Sequence, residues 1–223
     1  MNLKNIKNTK AIFFDLDGTL FDTAPELVEA IQRMLDELGL SRLAHDEIKS
    51  FIGRGADHLI RKSILAAGGN DQNDFESGKD LFHDFYFQLA DKSKPYEGVM
   101  NSLNSLKNHG ILLACVTNKP KIFTDKILSF YGLDKILDCI ISGDDVAHKK
   151  PHPEPIQLAS KNLGIQPSEA IMVGDSCNDI DSAFDAGSFV ATVPYGYQYG
   201  ESIVSRKVDF AIENISELAS LAQ

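Results

Sequence analysis

Six short apolar runs recur along the chain: AIFF (11–14), ILLACV (111–116), CII (139–141), AIMV (170–173), FVATV (189–193) and FAI (210–212). Each is rich in β-branched and aromatic residues and apolar at successive positions, so neither face of the segment is built for water. Runs of this kind, separated by helical stretches, are the pattern of strands buried on both sides of a parallel sheet. The stretches NSLNSLKNHG, IFTDKILSFYGL and EPIQLASKNLGI supply amphipathic helices between them, two of which close near a glycine suited to a left-handed C-terminal turn. The alternation predicts an α/β fold with a doubly wound, mostly parallel, Rossmann-like core.

One interval breaks the rhythm. Between the first and second runs no strand pattern appears, and the chain reads as helices: PELVEAIQRMLDELG, HDEIKSFIG, ADHLIRKSILAAG and DFESGKDLFHDFYFQLADK. A single crossover needs far less chain. The expected organisation is therefore an α/β core of residues 1–21 and 96–223, with an inserted all-helical subdomain at 22–95.

Charge narrows the partners. With 32 acidic against 22 basic side chains the formal charge is −10, and the helical interval carries its share with 14 acids against 9 bases. Nucleic acid or an anionic membrane as main partner would require clustered Lys and Arg, which neither part offers. Cys115, Cys139 and Cys177 are too few and too scattered for a disulfide framework or a zinc site. The apolar run behind the basic start is cut at once by Asp15 and Asp17, and no stretch is apolar for about 18 residues, as a spanning helix needs. A cytoplasmic protein with no membrane segment is the expectation. Either a monomer or a homodimer is compatible with the sequence.

The chemistry collects where the predicted strands stop. The first run leads into Asp15-Leu16-Asp17-Gly18-Thr19, the second into Thr117-Asn118-Lys119, and the fourth into Gly174-Asp175-Ser176 with Asp179 just beyond; the loop after the third carries Lys149-Lys150-Pro151. Ligands of open α/β sheets bind beyond the carboxyl ends of the strands, so these side chains are expected to converge. Several carboxylates crowded together are costly unless a cation lies among them. All the candidate ligands are oxygens, which favours Mg²⁺ over zinc. A calcium loop does not fit, because the glycine after Asp15 falls at the fourth position rather than the sixth. A P-loop is missing as well. Carboxylates, a hydroxyl, a lysine and Mg²⁺ together suit phosphoryl transfer, since the cations let a carboxylate approach a phosphate as nucleophile.

The four segments FDLDGTLFDT, VTNKP, KKP and GDSCND occur in the order of the four motifs of the haloacid dehalogenase superfamily of aspartyl-phosphate phosphatases, which the chain resembles from Phe14 to Asp179. The resemblance implies the fold just described, with the helical insertion as a cap. It implies that Asp15 attacks phosphorus and becomes an aspartyl-phosphate. Asp17 would protonate the leaving oxygen and then act as general base on water. Asp15 and Asp175 would hold Mg²⁺ through their carboxylates and Asp17 through its backbone carbonyl. Thr117 and the backbone around Asn118 would bind the phosphoryl oxygens, Lys150 would neutralise charge, and Asp179 would hold a metal-bound water or orient Lys150.

Within the superfamily, DGTLFDTAPELVEAI, FIGRGADHLI and PYGYQYGESI look like bacterial phosphoglycolate phosphatases. That likeness implies a small phosphorylated metabolite, 2-phosphoglycolate, as substrate. Gly53-Arg54-Gly55 would then lie in a substrate-specificity loop, its glycines admitting close backbone approach and Arg54 placed to bind the substrate carboxylate. Tyr195, Tyr197 and Tyr199 are set at the mouth of the site or in packing of their loop. The alternatives are another small-phosphate phosphatase or a phosphosugar mutase of the same family and, further off, a receiver-like phospho-signalling protein.

Overall fold

The computed structural model describes residues 9–197 and 208–222. β1 (Ala11–Phe14) is followed by a two-residue strand β2 (Phe21–Asp22) and four helices, α1 (Ala24–Glu37), α2 (His45–Ser50), α3 (Ala56–Ala66) and α4 (Asp71–Leu89). A second two-residue strand, β3 (Lys94–Pro95), leads into α5 (Val99–Asn108), β4 (Leu112–Val116), α6 (Lys121–Phe130) and β5 (Cys139–Ile141). The chain continues through α7 (Glu154–Leu163), β6 (Ala170–Gly174), α8 (Cys177–Ala186), β7 (Phe189–Thr192) and β8 (Phe210–Ala211). The main sheet has the order β5-β4-β1-β6-β7-β8, and every pairing in it is parallel.

The period of two assigns each strand residue to a side. Ile12 and Phe14, Leu113 and Cys115, Ile171 and Val173 face one apolar cluster, which runs on into α5, α6 and the four helices between β2 and β3. Ala11 and Phe13, Ala114 and Val116, Ala170 and Met172 face the other, completed by Ile156 and Ala159 of α7 and Ile180 and Ala183 of α8. Both faces of the sheet are thus covered by helices, which is why these strands read as continuous apolar runs.

β1 is central, and the chain leaves it first toward β4 and β5, then returns to its other side for β6. That reversal opens a crevice at the carboxyl ends of β4, β1 and β6. The helices between β2 and β3 stand over it. Their apolar stripe is long: Leu27, Ile31 and Met34 of α1 and Phe75 and Phe82 of α4 lie in the same buried cluster as Phe14.

The strand pattern does differ at one place. Phe21–Asp22 pairs antiparallel with Lys94–Pro95, so the two passages between sheet and helices run side by side, in a stretch where the sequence predicts no strand. Two residues are too short to display a period, and one of them is a proline, so the pairing leaves no pattern to read.

The core is strict about Phe13, which is fully buried on the second face, whereas Phe130 at the end of α6 is 64% exposed. In urea denaturation Phe13→Ala is expected to lose about 3–5 kcal/mol. Phe130→Ala should stay within about 0.5 kcal/mol of the parent. Equal losses would show that the packing is not as described.

Candidate active site

Asp15 begins where β1 ends, and its amide still donates to the Val173 carbonyl of β6 at 3.0 Å, so the sheet ladder itself aims the residue. Its Oδ1 accepts from the Leu16 amide at 2.7 Å and lies 3.1 Å from the Lys150 ammonium. Lys150 also donates to Asp179 Oδ1 at 2.6 Å and to the Val116 carbonyl of β4 at 2.6 Å. An ammonium has three donors, so Lys150 spends all of them inside the protein. The loop that carries it is held by Asn118: Oδ1 accepts from the Lys150 amide and Nδ2 donates to the Lys150 carbonyl, each at 2.9 Å.

Asp175 follows β6 and is fully buried. The Thr19 hydroxyl donates to its Oδ1 at 3.0 Å and the Tyr197 amide to its Oδ2 at 2.7 Å. Gly18 sits against this carboxylate at φ +83°, where a side chain would be strained and its Cβ would collide with Asp175. Asp179 serves two structures at once. One oxygen takes Lys150, and the other accepts from the Ser176 amide at 3.1 Å and hydroxyl at 2.6 Å, closing the capping box that starts α8.

Carboxylate oxygens of Asp15, Asp175 and Asp179 can therefore be chosen within 4.8 Å of one another, all buried. Burial drives the Asp15 carboxyl up to about 7, against the pull of Lys150 and with the help of Asp179 and Asp17. Asp175 is raised well above the ordinary carboxylate range by burial and then by the Asp179 and Asp15 charges. Burial draws the Lys150 ammonium down, but Asp15 and Asp179 outweigh it and leave its pKa above that of a free lysine. One lysine among three acids leaves negative charge uncompensated, and an all-oxygen donor set of this kind fits a hard divalent cation such as Mg²⁺.

The second acid of the first motif has a partner of its own. Lys119 donates to both oxygens of Asp17, at 2.8 and 3.1 Å, and the Thr23 hydroxyl donates to Oδ1 at 2.7 Å. Lys119 is buried, and its ammonium lies 4.7 Å from the centre of the Tyr86 ring of α4. Burial alone would lower this lysine, yet Asp17 and then Tyr86 hold it above the usual value. Sequence reasoning passes over Lys119. It lies inside the quoted segment VTNKP, one residue past Asn118, but nothing in the spacing shows that its side chain folds back to a residue 102 positions earlier.

Above these residues is a pocket, with Asp15, Asp17, Thr117, Asn118 and Lys119 on its core side. Leu27, Ile52, Leu59, Phe82 and Phe123 make an apolar opposite wall. Thr117 is held by its amide, which donates to Ile141 of β5 at 2.9 Å, and its buried hydroxyl accepts from the Lys119 amide at 3.3 Å. Gly53 and Gly55 also line the pocket. The Gly53 carbonyl accepts from Asn118 at 3.0 Å and from Asn178 at 3.3 Å, which ties the loop between α2 and α3 to the core.

The expected residues thus meet, with two qualifications of place. Arg54, between those glycines, is exposed and is not part of the pocket wall. Lys149, beside Lys150, is half-buried, with its side chain against Gly55 and Gly143. Of the tyrosine segment, Tyr195 donates to the Thr19 carbonyl at 3.0 Å, and the Tyr197 hydroxyl accepts from the amides of Thr23 and Ala24 at 2.6 and 2.9 Å while donating to Asp22. Tyr199 lies outside the described residues. Among the described residues no helix is long and apolar enough to cross a membrane.

Comparison with known proteins agrees with this geometry. The profile of the family described as "haloacid dehalogenase-like hydrolase" matches residues 12–193. A phosphoglycolate phosphatase of Nitrosospira multiformis is 39% identical over 217 residues, covering 96% of each chain. That of Colwellia psychrerythraea is 37% identical over 218 residues, again covering 96% of both. A crystal structure of a "predicted phosphoglycolate phosphatase" from Haemophilus somnus superposes with a TM-score of 0.93 at 31% identity, over 97% of this chain and 99% of that one. With the acid pair at the end of β1, the hydroxyl after β4, the lysine loop after β5 and the acids after β6 all present, the chain belongs to the haloacid dehalogenase-like hydrolases.

Proposed function

We propose that this enzyme, a phosphatase, hydrolyses 2-phosphoglycolate to glycolate and phosphate through a covalent phosphate on Asp15. The observation that carries the reading is the convergence of Asp15, Asp17 and Thr117 at the floor of one pocket, with Lys150 beneath. For the substrate, support comes from the two phosphoglycolate phosphatases at 39% and 37% identity.

Asp15 Oδ1 is engaged by Leu16 and Lys150, which leaves Oδ2 to attack phosphorus. The Thr117 hydroxyl and the Asn118 backbone receive the phosphoryl oxygens. As the new Asp15–phosphorus bond forms, the bond from phosphorus to the ester oxygen breaks, and protonated Asp17 gives that oxygen its proton. Glycolate leaves. Asp17 then takes a proton from water as the water oxygen bonds phosphorus, the Asp15–phosphorus bond breaks, and phosphate departs with both acids restored. Mg²⁺, held by the Asp15 and Asp175 carboxylates and the Asp17 carbonyl, supplies charge neutralisation to this chemistry when bound. Asp179 keeps Lys150 aimed at Asp15.

The helices of residues 22–95 act as a cap in this reading. They supply the apolar wall, exclude water during the first step and open to release product, with the Gly53 carbonyl on Asn118 and Asn178 as the latch.

Three outcomes test the reading. In a phosphate-release panel with Mg²⁺, 2-phosphoglycolate should give the highest kcat/KM among sugar phosphates, pyrophosphate and nucleotides; a sugar phosphate or pyrophosphate at the top would overturn the substrate. Asp15→Asn should cost about 10³-fold or more in kcat while melting as a folded protein. Substantial turnover in that variant would remove Asp15 as nucleophile. Mg²⁺ at 100 times its dissociation constant should stabilise the parent by about 2.7 kcal/mol in thermal unfolding, with most of that gain lost in Asp175→Asn. An unchanged melting temperature in the parent would exclude the metal site.

A further inference from the structure

We propose that Lys119, with the Tyr86 hydroxyl beside it, is the subsite for the substrate's carboxylate and so selects a phosphorylated hydroxy acid over a neutral phosphate ester. The inference rests on the 2-phosphoglycolate reading and adds to it the residues that recognise the acid end.

A carboxylate entering this pocket meets Leu27, Ile52, Leu59, Phe82 and Phe123, and an unpaired anion among such groups is prohibitively costly. It needs a cation in the wall. Among the described residues that line the pocket, Lys119 is the one cationic side chain. Lys150 lies below the floor with its three donors on Asp15, Asp179 and Val116. Arg54 is exposed and outside the wall. Lys119 places two of its three N–H donors on Asp17, which leaves the third for the Tyr86 hydroxyl and a ligand beside it.

The second observation is independent of charge. The Tyr86 hydroxyl is fully buried in the same pocket beside Lys119, and among the described residues no acceptor takes its proton, the neighbouring ammonium being itself a donor. Buried polar groups in native proteins are nearly always paired, and an acceptor brought by a ligand satisfies this one.

Distance along the substrate agrees. Asp17 must hydrogen-bond the ester oxygen to protonate it, and Lys119 is 2.8 Å from Asp17 Oδ1. Two hydrogen bonds in series bring the ammonium within about 5.6 Å of that ester oxygen. In 2-phosphoglycolate the carboxyl carbon is only two covalent bonds from the same oxygen, so it falls in the space between. A longer sugar phosphate carries neutral hydroxyls there and leaves the Lys119 charge without a second partner.

The test compares kcat/KM for 2-phosphoglycolate and for 2-hydroxyethyl phosphate, in which CH₂OH replaces the carboxylate. The parent is expected to prefer the acid, and Lys119→Gln to reduce that preference by about 30-fold or more, chiefly through KM for 2-phosphoglycolate. Arg54→Ala should keep the ratio within about threefold of the parent. If Lys119 only orients Asp17, Lys119→Gln slows both esters alike and the ratio stands, which overturns the subsite; so does loss of the preference in Arg54→Ala. Should Lys119→Gln not fold, Tyr86→Phe decides, because it removes only the hydroxyl and keeps the ring: the preference should fall by about threefold or more, and an unchanged ratio overturns the proposal. A parent that shows no preference for the acid refutes the substrate reading itself, whereas a parent preference that survives in Lys119→Gln refutes the subsite alone.

Discussion

Three carboxylates, after β1, after β6 and on the first turn of α8, are buried side by side here, and the ammonium of Lys150 is the charge that lets them stay. It binds Asp15 from β1, Asp179 from α8 and the last carbonyl of β4 together. Buried ion pairs of this kind add little net stability, but the loss of one partner is severe because the other charge is left stranded. The constraint therefore acts on geometry. The loop after β5 must reach the centre of the sheet, which Asn118 ensures by bonding both the amide and the carbonyl of Lys150. Burial and the neighbouring carboxylates push Asp15 and Asp175 toward their neutral forms, which a further positive charge among them would reverse.

The rest of the molecule serves that cluster from two sides. Below it, the parallel sheet delivers β4, β1 and β6 in adjacent positions, so the residues at their ends meet without any of the three loops being long. Above it, the helices between β2 and β3 bring apolar side chains over an otherwise charged floor. A dry wall strengthens every electrostatic contact beneath it. The tyrosine segment after β7 joins the two sides: the Tyr197 amide holds Asp175, and its hydroxyl sits at the first turn of α1.

How much of this was legible depends on the scale of the signal. The sheet strands were readable because each buries both faces and so leaves an unbroken apolar run between helices. The acids were readable because they follow those runs directly. The β2–β3 pairing was not, since two residues with a proline among them have no period. Lys119 was hidden for a different reason. Its neighbours Thr117 and Asn118 act through short side chains at the strand end, whereas a lysine has a long flexible stem whose direction the local sequence does not set. Arg54 shows the converse: a cation flanked by glycines is an attractive ligand on paper, but the residue is exposed and not among those that line the pocket. Asp179 was ambiguous between helix cap and Lys150 partner, and the structure uses one oxygen for each.

By itself the sequence determined the elements, their α/β alternation, the helical interval and the inventory of oxygens, one lysine and one hydroxyl at the strand ends. These are local matters, decided by which side chains shun water and where glycine permits a turn. Tertiary structure alone decided which charges pair. The partners Lys119 and Asp17, Lys150 and Asp179, and Thr19 and Asp175 are separated by 102, 29 and 156 residues. Their meeting depends on strand order and on which way each long side chain is turned by its packing, and no periodicity along the chain carries that information.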